Sequence, residues 1–173
     1  MANNILKYKG YAIGKSIKED NCEKIIDEIF FLAKKESCNI FYPKDVSVGK
    51  NLDDFAKIKN LDEISDDELV LDIGPKTIDA IYNIIEKSKT VLWNGPAGYF
   101  ENPNFANGSF QIAKKIVEKN KSNQIYSVAG GGDTVAVLNN IGVVDNFNFV
   151  STAGGAFLEY LEGKELPGIK ALN

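Results

Sequence analysis

The sequence predicts an α/β fold built on a parallel sheet. Two observations carry this. From residue 68 onward, short apolar runs alternate with longer segments whose apolar residues recur every three or four positions. Glycine-rich loops stand after three of the apolar runs, and Pro75 opens one of the helical segments. Alternation of this kind is the pattern of strands joined by crossover helices.

The elements follow in order. Residues 1–9, MANNILKYK, read as the tail of a helix. DNCEKIIDEIFFLAKKES at 20–37 is an amphipathic helix, with Cys22, Ile25, Ile26, Ile29, Phe30 and Ala33 on its apolar face. NIFYP at 39–43 predicts a strand, and the acidic, weakly alternating 44–67 predicts short strands and loops. ELVLDIG is a strand, followed by the helix PKTIDAIYNIIEKS. Pro75 suits the first helical position, where an N–H is not needed. Ile78, Ile81, Tyr82 and Ile85 form the buried face of that helix. TVLWNG at 90–95 is a strand, and a helix over about 105–119 follows FENPN. QIYSVAG at 124–130 leads into a helix at 133–140, and FNFVST at 147–152 into a helix at 154–162. LPGIKALN is a terminal tail. The predicted arrangement is a Rossmann-like three-layer sandwich with a parallel sheet in the middle.

Composition narrows the function. The 173 residues suffice for one domain with a real core. Net charge is −4 without a dense lysine run, which argues against nucleic acid as a partner. No apolar stretch approaches a membrane span, and the N-terminus does not read as a signal peptide, so the expected setting is cytoplasmic. Cys22 and Cys38 form no CxxC, and the chain has no histidine, so zinc catalysis and histidine-based triads are excluded. All 20 basic residues are lysine. Arginine is the usual bidentate clamp for phosphate, so here such a clamp must come from elsewhere.

Three glycine-rich loops follow predicted strands: WNGPAGYFE at 93–101, AGGGDT at 129–134 and STAGGA at 151–156. Parallel strands bring such loops to one sheet edge, where ligands bind. Helix N-termini there present unpaired amides, and glycine lets an anion approach them closely. This points to an anionic, phosphorylated ligand. Asp133 has two open roles: N-cap of the helix that follows, or a carboxylate reaching Mg²⁺ beside phosphates. Glu101 is either a solvated loop acid or an acceptor for a ribose diol. Two nucleotide motifs fail. GYAIGKS at 10–16 is one residue short of a Walker A loop, and a GxGxxG beginning at Gly130 meets Val135 where its third glycine belongs.

VLWNGPAGYFENPNF, SVAGGGDTVAV and VSTAGGAFLEYLEGKELPGI closely resemble the C-terminal, nucleotide-binding half of phosphoglycerate kinases. KGYAIGKS, FYPKDVSV and DEISDDELVLDIGPKT have counterparts in the same family, and the resemblance covers essentially the whole chain. It implies glycolytic, Mg²⁺-dependent phosphoryl transfer between 1,3-bisphosphoglycerate and ADP. It implies Glu101 on the ribose hydroxyls, Pro96 near the nucleoside and Gly74 lining the nucleotide pocket. Gly131, Gly132, Asp133 and Thr134 would bind the phosphates, with Asp133 as the metal-side carboxylate. Gly154 and Gly155 would offer backbone amides to the phosphoryl group in transit. Ala153 stands where the family often has glycine, and an ordinary negative φ is expected there.

The resemblance also implies what has no counterpart here. MANN resembles a segment inside the nucleotide domain, after a glycine-rich stretch. The substrate domain that binds 3-phosphoglycerate, and the first strands of the nucleotide domain with their phosphate-gripping lysines, are unmatched. Residues 1–173 are therefore expected to form a partial nucleotide-binding domain, truncated at its N-terminal side. An uncovered sheet edge and exposed apolar helix faces are expected, with marginal stability or pairing with a complementary fragment. The chain alone is expected to bind ADP or ATP at best. The alternatives are a non-catalytic nucleotide-binding fragment or a decayed gene product without a stable fold.

Overall fold

The computed structural model describes residues 1–172, which form two compact units. The first comprises Met1–Ala80 and Ala97–Gly108; the second comprises Ile81–Pro96 and the chain from Ser109 onward.

In the first unit, helices α1 (Ala2–Tyr8) and α2 (Glu23–Lys35) precede a three-stranded antiparallel sheet. Its order is β2 (Lys57–Asn60), β1 (Asp45–Gly49), β3 (Leu69–Ile73). Strand β1 is buried along its whole length. Val46 and Val48 join Leu6, Ile13, Leu61 and Ile64 in the core. Asp45 and Ser47, which alternate with the two valines, are buried as well. The Asp45 carboxylate accepts from the amides of Lys76 at 3.0 Å and Thr77 at 2.8 Å, which caps helix α3 (Pro75–Lys87) from a distant part of the chain. Pro75 takes the first helical position, as predicted.

Three expectations are corrected in this unit. Residues 39–43 form no strand; the strand starts two residues after Pro43, which lacks a ladder N–H and restricts the residue before it. Strand β3, expected in the parallel sheet, pairs antiparallel with β1 through Val46↔Ile73 and Val48↔Val70. Strand–helix alternation reports local period, whereas sheet membership depends on a remote partner. The third correction concerns α2. Ile26 and Ala33 are buried, but Ile25 is 61% exposed and Ile29 42%. Phe30 stacks on Tyr8 with ring centroids 6.0 Å apart, and the Lys9 ammonium lies 4.2 Å from the Phe30 centroid. The periodicity located the apolar face and left open how much of it finds a neighbour.

The second unit holds the parallel sheet, in the order β4 (Thr90–Asn94), β5 (Tyr126–Gly130), β6 (Phe149–Val150). Leu92 pairs with Val128, and Ala129 with Val150. Helix α4 (Asn107–Lys121) buries Ile112, Ala113, Ile116 and Val117, and helix α5 (Gly132–Asn140) buries Val137 and Leu138. Helices α6 (Gly155–Leu161) and α7 (Pro167–Lys170) complete the chain. Side chains alternate across the sheet. Trp93, Ser127 and Ala129 lie on a buried face, whereas Leu92, Tyr126 and Phe149 on the other are 47%, 52% and 50% exposed. The architecture is the predicted α/β class with a three-stranded parallel sheet.

Candidate functional site

Strands β4, β5 and β6 are parallel, so the loops leaving their C-terminal ends lie at one sheet edge. All three loops are the glycine-rich ones singled out in the sequence. Each adopts a conformation that requires glycine at one position: Gly95, Gly131 and Gly154 have φ of 95°, 90° and 56°.

Two contacts fix the first loop, one within it and one tying it to the second. The buried Trp93 indole donates to the Gly95 carbonyl at 2.8 Å, bending the chain back over its own strand end. The Gly95 amide donates to Thr134 Oγ1 at 2.7 Å. Thr134 is fully buried, so its hydroxyl serves as a brace between the loops. Pro96, next in the chain, is partly buried.

Helix α5 starts at Gly132 with Gly131 as its N-cap. Asp133 therefore does not take the capping role; it stands exposed in the first turn. The first intrahelical bond runs from Val135 N to Gly131 O. The amides of Gly132, Asp133 and Thr134 precede it and are the orphan donors of this helix end, in a field of roughly half a positive charge. In the third loop, Gly154 caps α6 and Gly155 opens it. Ala153 is absent from the residues with positive φ, as expected, and its amide donates to Ser151 Oγ at 3.3 Å.

Gly74 and Glu101 belong to the first unit. Gly74 is explained there by packing. A Cβ would come within 2.5–2.6 Å of the Asp45 carboxylate oxygens, and its own amide donates to Asp45 O at 3.0 Å. Glu101 is exposed on the loop between Ala97 and Gly108.

Sequence reasoning passed over Asn94. Its Nδ2 is buried without a hydrogen-bond partner, and it lies 3.1 Å from where a Cβ on Gly131 would stand. A buried amide nitrogen without an acceptor is costly, and this one is directed at the second glycine loop. Its position directly before Gly95 was the available signal. A cavity of about 400 Å³ in the first unit, lined by Tyr11, Ile40, Phe41, Tyr42, Pro43 and Leu61 among others, was also not foreseen.

Among the described residues, no three acidic, cysteine or histidine side chains cluster to hold a metal ion, and no helix is long and apolar enough to cross a membrane.

The sequence pattern described as phosphoglycerate kinase matches residues 1–164. The chain belongs to the phosphoglycerate kinase family. It is 45% identical to the phosphoglycerate kinase of Zymomonas mobilis over 174 aligned positions and 44% identical to that of Azorhizobium caulinodans. Each alignment covers 99% of this chain and 44% of the relative. The chain thus spans under half the length of these relatives. Among solved structures, that of phosphoglycerate kinase from Coxiella burnetii superposes with a TM-score of 0.90 at 38% identity, covering 99% of this chain and 44% of that one. The enzyme from Pyrococcus horikoshii gives 0.73 at 27% identity, covering 99% and 42%. The match extends over nearly the whole chain.

Proposed function

We propose that this chain is a partial nucleotide-binding domain of phosphoglycerate kinase type. It binds Mg²⁺-ADP or Mg²⁺-ATP and takes part in phosphoryl transfer between 1,3-bisphosphoglycerate and ADP, a step of glycolysis, together with a part it does not contain. One observation carries the reading: three glycine loops stand side by side at the C-terminal edge of one parallel sheet. Phosphoryl transfer relies on positioning and charge stabilisation, so backbone donors suffice and no protein nucleophile is needed.

In this reading Gly131, Gly132 and Asp133 receive the nucleotide phosphates at the α5 end, and the fully buried Thr134 supports them through its brace on Gly95 rather than touching phosphate itself. Gly154 and Gly155 offer amides to the phosphoryl group. Pro96 and Gly74 line the nucleoside side, and Glu101 accepts from the ribose hydroxyls. Asn94 Nδ2 supplies one further donor. Mg²⁺ fits the donor set: one exposed carboxylate, Asp133, suits an ion that takes one or two carboxylates plus substrate phosphates. Bound there, Mg²⁺ neutralises charge on the phosphate oxygens.

The 44% span of the relatives favours a second statement, that the chain alone binds nucleotide without catalysing transfer. In-line transfer needs both substrates held in place, and in this reading the 3-phosphoglycerate site belongs to the part that this chain does not contain. The half-exposed Leu92, Tyr126 and Phe149 supply a surface for a complementary fragment. The setting is the cytoplasm, with neither nucleic acid nor a membrane as partner.

A thermal melt with and without Mg²⁺-ADP tests the reading. A ligand that binds only the folded state adds about 2.7 kcal/mol at a hundredfold excess over Kd. A cooperative transition that moves up with Mg²⁺-ADP supports a working nucleotide site. A transition indifferent to nucleotide would discard it. A coupled assay in which the chain alone makes 1,3-bisphosphoglycerate would overturn the non-catalytic statement.

A further inference from the structure

One buried group in the first unit is used by nothing described so far. Asp72, on β3, is 3% exposed, and among the described residues no lysine forms an ion pair with it. Burying a carboxylate without a cation is costly, so its surroundings call for an explanation. They comprise the Ile73 amide, Ser47 opposite Asp72 on β1, and the loop that carries Glu101. Asp72 Oδ2 accepts from the Gly108 amide at 2.7 Å, at the start of α4. Its Oδ1 accepts from the Ile73 amide at 2.8 Å and faces Gly98 and Gly108. A Cβ on Gly98 would come within 2.5 Å of Oδ1 and 2.6 Å of the Leu71 carbonyl, and a Cβ on Gly108 would overlap Oδ1 as well. The Leu71 carbonyl accepts from Tyr99 N at 2.7 Å. Both ends of the segment 98–108 therefore meet one spot on β3, and two glycines make room for the carboxylate between them. The middle is held separately. Asn102 Nδ2 donates to Leu52 O at 2.7 Å, Asn104 Nδ2 to Asp54 O at 3.1 Å, and Phe105 is fully buried. Glu101 stands exposed on a loop otherwise fastened on every side.

We propose that Asp72 is a positioning residue: its carboxylate holds the Gly108 end of the segment 98–108, beside the other end that the Leu71 carbonyl holds through Tyr99, and so sets the place of Glu101 for a nucleotide's ribose hydroxyls. The ribose clause rests on the nucleotide reading above; the clasp does not.

The test uses the full chain with Asp72→Asn, which keeps shape and one acceptor oxygen, and Glu101→Gln. Hydrogen exchange reads the clasp without ligand. In Asp72→Asn, the amide of Gly108 loses protection while those of β5 are unchanged. Unchanged protection at Gly108 would overturn the clasp. Calorimetric titration with ADP and with 2′,3′-dideoxy-ADP reads the consequence. Asp72→Asn weakens ADP by about tenfold, the scale of one hydrogen bond to a charged group, and leaves the dideoxy compound within twofold. In a Glu101→Gln background the Asp72→Asn effect on ADP disappears. Equal weakening of both ligands, or an undiminished effect without Glu101, would overturn the positioning role. If Glu101→Gln leaves ADP binding unchanged, or if ADP does not bind at all, the nucleotide reading of Glu101 fails and takes the ribose clause with it. The exchange result then stands on its own.

Discussion

At the residue scale, Asp72 also makes the first unit sensitive to pH. Burial raises its pKa from the ordinary Asp value to about 6, against the pull of the Gly108 and Ile73 amides. A raised value means that the folded chain holds the proton more tightly than the unfolded chain. The associated stability is fully present below about pH 4 and is lost as pH rises through about 6, by up to about 3 kcal/mol. Asp72→Asn removes the titration. Melting temperature should fall from pH 4 to pH 7 more steeply in the wild-type chain than in the variant, and parallel curves would refute this. The carboxylate was legible as a letter inside DIGP, but its burial was not. That depends on Gly98 and Gly108, which are remote in sequence. Asn94 was missed for a similar reason: a buried nitrogen without an acceptor shows only in three dimensions.

At the scale of elements, helices α3 and α4 are joined by a charge cluster. Glu86 receives Lys115 at 2.5 Å and Lys119 at 2.8 Å. Hydrogen bonds to the two lysines hold the Glu86 carboxyl at about 2, far below the ordinary glutamate value. A depressed value contributes stability that is present above about pH 4.5 and lost as pH falls toward 2. Glu86 is exposed, so solvent screening keeps the effect small at neutral pH. Glu86→Gln should lower the melting temperature slightly at pH 7 and leave it unchanged relative to wild type near pH 2. Calorimetry at the two pH values checks this, and an equal loss at both would show that packing, not charge, joins the helices. Most helices were readable from spacing, because an apolar stripe at a 3.6-residue period has few other uses. Strand β3 was readable as a strand and misplaced in its sheet, because pairing with β1 is a long-range choice.

At the scale of the whole molecule, one face of the parallel sheet leaves Leu92, Tyr126 and Phe149 about half exposed, and α2 exposes Ile25, Phe31 and Leu32. Parallel sheets are normally covered on both faces, and contiguous apolar patches mark association surfaces. The chain on its own should therefore self-associate as concentration rises. Leu92→Lys with Phe149→Lys should shift light scattering toward the monomer with little change in melting temperature. Unchanged association would place the contact elsewhere, with α2 as the next surface to alter.

The sequence by itself determined the class of fold, the existence and approximate place of most helices, and the family. These rest on local period and on glycine loops whose backbone demands are local. The tertiary structure decided which strands share a sheet, which apolar faces find a partner, and which polar groups are buried. It turned Thr134 into a brace on Gly95, moved the α5 cap to Gly131, and set Asp72 between two glycines. Each of these depends on atoms brought together from distant positions, and distances between remote residues are not written in local pattern.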